Sequence, residues 1–348
     1  MAGVGVGIVG YGYWGVNLAR NVVAARGVEL VGIADPRAWR RDRAQEDHPA
    51  VPRYESVELL LDQPEVEAVM LATPASTHTA LGLQVMAAGR HVLIEKPLAL
   101  DTSSAAALVD EAESKGLALM VGHTFLYAPA VERLRKMVSG GMLGQLRYAD
   151  ARRHLGQARS DCDVLWDLGA HDVSILLSVL GERPSQVSGR GYSHMSIGRY
   201  DTCFAHLLFP SGVDASLNLS WVNPFKVRLL TLVGTTQMAI YDDVPLNQKV
   251  TVYGAGLDDA ERLVLAEREG EIEDGPFAHL DLRTSAGDLF IPGLSATEPL
   301  AREVEDFGRA CATGSRPLAD GHLGLEVVRV LEAISTSMAS DGSPVTLS

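Results

Sequence analysis

Three sets of residues in this chain have types and spacings that can support chemistry. Asp167 and His171 stand four apart in Trp166-Asp167-Leu168-Gly169-Ala170-His171-Asp172, so on a helix they share one face, which Asp163 and Ser174 extend. A carboxylate beside an imidazole is an acid–base pair. The same spacing also fits a helix N-terminus, where the dipole favours acids, followed by a buried histidine. Gly169 within that helix costs about 1 kcal/mol relative to Ala, which points to close approach by another segment or a ligand. Lys96 follows a buried strand and precedes Pro97. It is either a solvated strand-end charge or, if partly desolvated, an amine whose ammonium form is disfavoured and which can move a proton.

The third set is Gly10-Tyr11-Gly12-Tyr13-Trp14-Gly15, a G-x-G-x-x-G pattern between a first strand and a first helix. Gly10 permits the tight turn, Gly12 lets the backbone approach a pyrophosphate, and Gly15 allows close helix–sheet packing. The helix N-terminus then offers unpaired N–H groups to the phosphates. Asp35 ends the second strand, 20 residues after Gly15, where an acid accepts hydrogen bonds from the adenosine ribose. A carboxylate there repels a 2′-phosphate, so the expected cofactor is NAD. Arg37 and Arg40 lie close enough to temper that preference, and NADP stays open.

These residues need a parallel sheet behind them, and the hydrophobic pattern supplies one. Strands are expected at residues 4–9, 29–34, 68–72, 91–94 and 117–121, apolar on both faces. Helices are expected at 13–25, with Val16, Ala19, Val22 and Val23 on one stripe, at 79–88, and at 102–115 with Asp101 as N-cap and Gly116 after its end. The second part reads differently. A strand at 145–152 and a helix at 163–180 precede strands at 186–192, 202–209, 213–221, 227–233, 238–241 and 250–253. Many strands after few helices mean an antiparallel sheet. Residues 254–297 carry no clear pattern, and helices at 298–311 and 323–338 close the chain.

Composition narrows the classes. The 348 residues suffice for two domains, and a formal net charge of −14 argues against nucleic acid as a partner. Cys162, Cys203 and Cys311 are far apart and odd in number, which fits a reducing, cytoplasmic setting and gives no disulfide framework or zinc site. The apolar N-terminus lacks the basic flank of a signal peptide, and residues 164–180 are interrupted by Asp167, His171 and Asp172, so no membrane span is expected.

With the glycine motif, the segments Ala72-Thr73-Pro74-Ala75-Ser76-Thr77-His78 and Glu95-Lys96-Pro97-Leu98 make the chain resemble the glucose–fructose oxidoreductase / inositol dehydrogenase / rhizopine-catabolism (Gfo/Idh/MocA) family over nearly its whole length. Glu-Lys-Pro after a strand is its most specific mark. The resemblance implies an α/β fold: a Rossmann dinucleotide-binding domain over residues 1–122, then a substrate-binding and oligomerisation domain over 123–348 built on an open, mostly antiparallel sheet. The site lies between them.

It further implies that Gly10, Gly12, Tyr13, Trp14, Gly15, Asp35, Thr73, Pro74, His78, Glu95, Lys96 and Pro97 hold NAD. Lys96 would touch the substrate hydroxyl and the nicotinamide ribose, with Asp167 and His171 beside the hydride-transfer site and no metal. His171 is then expected to exchange the hydroxyl proton because imidazole titrates near neutrality. His123, Tyr127, Arg152 and Asp163 are expected at the substrate, with Arg153, His154 and Thr124 nearby. Segments 220–228 and 241–243 resemble those of members in amino- and deoxysugar pathways.

The implied activity is dehydrogenation of a ring hydroxyl, at C3, of a sugar or nucleotide sugar. Alternatives are a cyclitol dehydrogenase, a ketoreductase, an NAD-dependent glycosidase and a non-catalytic NAD-binding regulator. Inositol-oxidising members carry arginines where this chain has Thr124-Phe125-Leu126-Tyr127. An open sheet face needs a cover, so a homodimer or homotetramer is expected.

Overall fold

A computed structural model of the chain describes residues 3–155, 158, 162–195, 198–254 and 287–347. The first part runs β1 (Val4–Val9), α1 (Tyr13–Ala24), β2 (Val28–Ala34), α2 (Ala38–Asp47), β3 (Arg53–Tyr54), α3 (Val57–Leu61), β4 (Ala68–Leu71), α4 (His78–Ala87), β5 (His91–Glu95), α5 (Thr102–Lys115) and β6 (Leu119–Gly122). Its six strands lie in the order β3-β2-β1-β4-β5-β6, every neighbouring pair parallel. This is the doubly wound order, with its switch point between β1 and β4, where the carboxyl ends of the strands leave a crevice for a dinucleotide. Both strands are buried almost throughout, as a sheet covered on both faces requires.

The helix ends follow the expected chemistry. The Asp101 side chain accepts the Ser104 N–H at 2.7 Å and starts α5, and Gly116 ends it in a left-handed conformation at φ 62°. On α1 the buried stripe is Leu18, Ala19, Asn21 and Val22, not the expected Val16-to-Val23 face. Val23 is exposed because the helix packs with its Leu18 side against the sheet.

The second part contains α6 (Pro129–Ser139), β7 (Leu146–His154), α7 (Ala170–Leu180), β8 (Gln186–Tyr192), β9 (Thr202–Leu208), β10 (Asp214–Ser220), β11 (Val227–Gly234), β12 (Met238–Asp242), β13 (Val250–Tyr253), β14 (Leu289–Phe290), α8 (Pro299–Thr313), α9 (Gly321–Ala339) and β15 (Val345–Thr346). Nine strands form one sheet, β14-β13-β12-β11-β7-β10-β9-β8-β15, antiparallel except where β7 and β10 run together. Residues 255–286 of the unpatterned stretch lie outside the described residues, but β14 adds a short strand within it that the sequence pattern did not show. The closing helices return to the first sheet: α8 packs on α1, and α9 bridges α5 and β8.

Alternation along the strands assigns the two faces. Ala149, Ala151 and Arg153 of β7, Cys203, Ala205 and Leu207 of β9, and Ala215, Leu217 and Leu219 of β10 point into the core under the helices. Tyr148, Tyr192, Phe204 and Leu208 stand partly exposed on the other face.

The expected helix at 163–180 is two elements: a π-helical turn, Leu165–Gly169, and then α7. A Cβ on Gly169 would sit 3.0 Å from the Leu165 side chain and 3.1 Å from that of Leu219 on β10, so the close approach comes from the core and not from a ligand.

Candidate active site

The glycine loop is built by steric necessity. Gly10 turns at φ 93°, and a Cβ there would lie 2.5 Å from the Ala72 carbonyl oxygen at the end of β4. A Cβ on Gly15 would lie 1.9 Å from the Gly10 oxygen, so α1 can approach the loop only with glycine at that position. Gly12 is the N-cap of α1 and no side chain caps it, which leaves first-turn N–H groups for an anion. These features fit a dinucleotide pyrophosphate.

Asp35 is almost fully buried and anchors the loop from β2. Its carboxylate accepts the Tyr11 N–H at 2.8 Å and the Arg37 N–H at 2.9 Å, and pairs with Arg40 Nη1 at 3.2 Å. The Arg40 guanidinium also lies 3.5 Å from the position of a Cβ on Gly12, at the rim of the ribose and phosphate site.

On the facing strand ends, Thr73 Oγ1 accepts from Thr77 at 2.8 Å. The buried His78 ring lies 2.8 Å from the Pro97 carbonyl and 3.0 Å from that of Thr73, which ties the two loops together. Tyr13 points into solvent at 86% exposure. The Trp14 indole N–H donates to Glu95 Oε1 and joins the start of α1 to the end of β5.

Lys96 leaves the end of β5 and crosses to the second part of the molecule. Its Nζ donates to the Asp167 carbonyl oxygen at 2.7 Å and lies 3.3 Å from Asp167 Oδ1. The π-helical turn widens the backbone at this point, a feature frequent at functional sites. The other Asp167 oxygen accepts the Trp221 indole N–H at 3.2 Å. Asp167 is thus held from β10 and holds Lys96 in turn.

His171 is buried beside this pair, its ring 4.9 Å from Phe125 in an edge contact, and its Nδ1 has no partner. Burial first, then the positive charges of Lys96, Arg153 and Arg228 with His123 nearby, holds its pKa well below the ordinary imidazole value. This corrects the expectation of titration near neutrality: His171 is neutral at physiological pH. His123 is equally buried, neither ring nitrogen has a partner, and burial with the Lys96 charge lowers its pKa to about 3.

Arg153 lies over the Phe125 ring at 4.6 Å and makes a fully buried two-pronged pair with Asp172, at 2.9 and 2.8 Å. The two segments at 220–228 and 241–243 meet where Arg228 and Asp243 pair at 3.2 Å, and Lys249 joins Asp243 at 2.7 Å.

Other expected substrate residues are placed elsewhere. Arg152 alternates to the opposite face from Arg153 and pairs with Asp150 at 2.7 Å, so Arg153 is the arginine at the site. The buried Tyr127 hydroxyl donates to Asp306 at 2.7 Å and accepts from the Ala319 N–H at 3.3 Å, a strut between the segment after β6 and the closing helices. Thr124 donates to Glu303 at 2.7 Å, and His154 bonds Asn218 and Asn223 on the sheet. Ser174 turns its hydroxyl back onto the His171 carbonyl at 2.8 Å. Asp163 accepts the Trp166 N–H at 3.1 Å and, with Trp166, Arg199, Tyr200 and Glu332, walls a cavity of about 910 Å³. Phe125 and Trp221 lie in segments the sequence singled out without giving either residue a role, and Glu303 lies in no motif; each reaches the site through tertiary packing.

Comparison with known proteins agrees with this geometry. Residues 4–123 match the model of an oxidoreductase family with an NAD-binding Rossmann fold, and residues 131–240 match the GFO/IDH/MocA C-terminal domain. UDP-N-acetylglucosamine 3-dehydrogenase of Acidithiobacillus ferrooxidans is 31% identical over 92% of this chain and 93% of its own length. The chain belongs to the GFO/IDH/MocA oxidoreductase family. It is an NAD(P)-dependent oxidoreductase, and NAD is its cofactor.

A solved structure of that Acidithiobacillus ferrooxidans enzyme superposes with a TM-score of 0.82 over 98% of this chain and 99% of that one, at 27% identity. The scyllo-inositol 2-dehydrogenase (NAD(+)) of Bacillus subtilis is 24% identical over 71% of this chain and 76% of its own length. Among the described residues, no helix of the oxidoreductase is long and apolar enough to cross a membrane.

Proposed function

We propose that this oxidoreductase oxidises a ring hydroxyl, at C3, of a sugar or nucleotide sugar. The observation that carries the reading is the bridge from Lys96, beside the glycine loop, to Asp167 in the other part of the molecule, with buried His171 within reach of the Lys96 charge. Bound NAD supplies the hydride acceptor. Lys96 donates a hydrogen bond to the substrate oxygen and stabilises the charge that develops there. Asp167 fixes the lysine through two contacts and is itself fixed by Trp221.

Neutral His171 is in the form that accepts the hydroxyl proton as the carbon–oxygen double bond forms. Burial, and then the charges of Lys96 and Arg153, disfavour its imidazolium. His123, with both nitrogens unpartnered, is a contact for the substrate or the nicotinamide. The similarity to a UDP-N-acetylglucosamine 3-dehydrogenase makes that nucleotide sugar the first compound to test. With substrate deuterated at C3, the label should pass to the reduced cofactor, as read by mass spectrometry. Turnover with the label left on the sugar would place the chemistry at another carbon.

The partly exposed Tyr148, Tyr192, Phe204 and Leu208 on the open sheet face are proposed as the contact between copies of a homodimer or homotetramer. Sedimentation of the full chain tests this, and a monomer at micromolar concentration would contradict it.

A further inference from the structure

Two buried carboxyls meet behind Lys96, and the proton handling above uses neither. Glu95 ends β5 and is 9% exposed, and Glu303 on α8 is fully buried. Glu95 has two donors, the Trp14 indole on Oε1 and the Lys96 backbone N–H on Oε2 at 3.2 Å. Gly122 makes room for it, since a Cβ there would lie 2.7 Å from Glu95 Oε2. Glu303 has one donor, the Thr124 hydroxyl on Oε2, and its Oε1 has none. A buried carboxylate oxygen with no donor is costly, and a proton on that carboxyl removes the cost.

We propose that Glu303 is a positioning residue: as a neutral acid it leaves Glu95 as the single buried carboxylate, which orients Trp14 of the glycine loop and the backbone of Lys96. Through it, α8 from the end of the chain helps set both the cofactor cradle and the reactive lysine. Burial and the charge of Glu95 hold the Glu303 pKa well above the ordinary carboxylate value, and burial pushes Glu95 itself up to about 7. The other groups facing the pair are Lys96, which favours the Glu95 charge, and Asp306, which disfavours that of Glu303. Tyr127, bonded to Asp306, and His123, which follows Gly122, complete the surroundings.

Both carboxyls bind protons more tightly in the folded chain than in an unfolded one. The arrangement needs Glu95 ionised and Glu303 neutral, so it forms as pH rises through the Glu95 value near 7 and is lost when Glu303 gives up its proton at higher pH.

The inference rests on Lys96 and the glycine loop serving the reaction, but its test needs no substrate. NADH binding to the full-length chain is followed by fluorescence from about pH 7 to about pH 9, in the wild type, Glu303→Gln and Glu303→Ala. An amide at position 303 mimics the neutral acid and cannot ionise. The wild type should lose about tenfold in affinity as the pair gives up its proton, while Glu303→Gln should change less than about twofold. Glu303→Ala should be weak at every pH because the packing is gone. If it does not fold, the other two chains decide. A parallel alkaline fall in Glu303→Gln, or Glu303→Gln as weak as Glu303→Ala at neutral pH, would overturn the proposal.

Discussion

The cofactor cradle and the catalytic cleft lie side by side at the end of one sheet, yet they are built on opposite plans. In the cradle, backbone geometry is tight and Asp35 is saturated by Tyr11, Arg37 and Arg40. In the cleft, His123 and His171 carry buried ring nitrogens without partners, gathered around a lysine drawn across from the other side. Such atoms cost stability unless something meets them. The cradle is a preformed mould, whereas the cleft keeps buried imidazole nitrogens without protein partners. Damage to the cleft should therefore cost turnover at constant cofactor affinity, and damage to the cradle should do the reverse.

The largest expected effect in this contrast is His171→Ala. It should lower kcat about a thousandfold, within the usual range for a general base, with NADH affinity changed less than about threefold. In the wild type, the acid limb of kcat/KM should fall below the ordinary imidazole value, because burial and nearby positive charge lower the His171 pKa. A limb centred at or above that value would show that another group takes the proton.

Gly15→Ala comes next and strikes the cradle. The added methyl meets the Gly10 oxygen, so α1 must shift, and NADH affinity should fall about a hundredfold. Turnover at saturating NAD should suffer less than affinity, and an unchanged Kd would show that the loop is looser than its geometry.

The smallest effect is on cofactor choice. Arg40 offsets the Asp35 charge at the rim where a 2′-phosphate would sit. Arg40→Ala should weaken NADP⁺ about tenfold and NAD⁺ about twofold in parallel titrations. Equal losses would reduce Arg40 to a support for Asp35.

How much of this could be read in the sequence follows from the same contrast. The cradle was legible because Gly10, Gly12, Gly15 and Asp35 are local and periodic and act through backbone geometry. The first sheet except its edge strand β3, and most strands of the second, followed from apolar runs and alternation. Helix α2 left no signal because Ala44 is its only buried residue. Helix α6 carries a readable stripe, Ala130, Val131, Leu134 and Met137, after Pro129 at its start, yet no helix was assigned there.

In the cleft, spacing alone left the roles of Lys96, Asp167 and His171 open, and the family resemblance singled them out. Their environment was not legible, because Trp221, Arg153 and Glu303 arrive from distant elements. Arg152 and Arg153 were named together, and on a strand one residue decides the face: Arg153 points into the core beside Phe125, and Arg152 points away.

The central claim is that the Lys96–Asp167 bridge and the neighbouring His171 perform the proton chemistry of a hydride transfer. Its most direct test is NADH formation from NAD⁺ with free sugars, cyclitols and nucleotide sugars, in the wild type and in Lys96→Ala. The account predicts turnover of a sugar or nucleotide sugar by the wild type, at least about a hundredfold lower in the variant, with NADH still bound by both. Equal turnover by the two chains would contradict it.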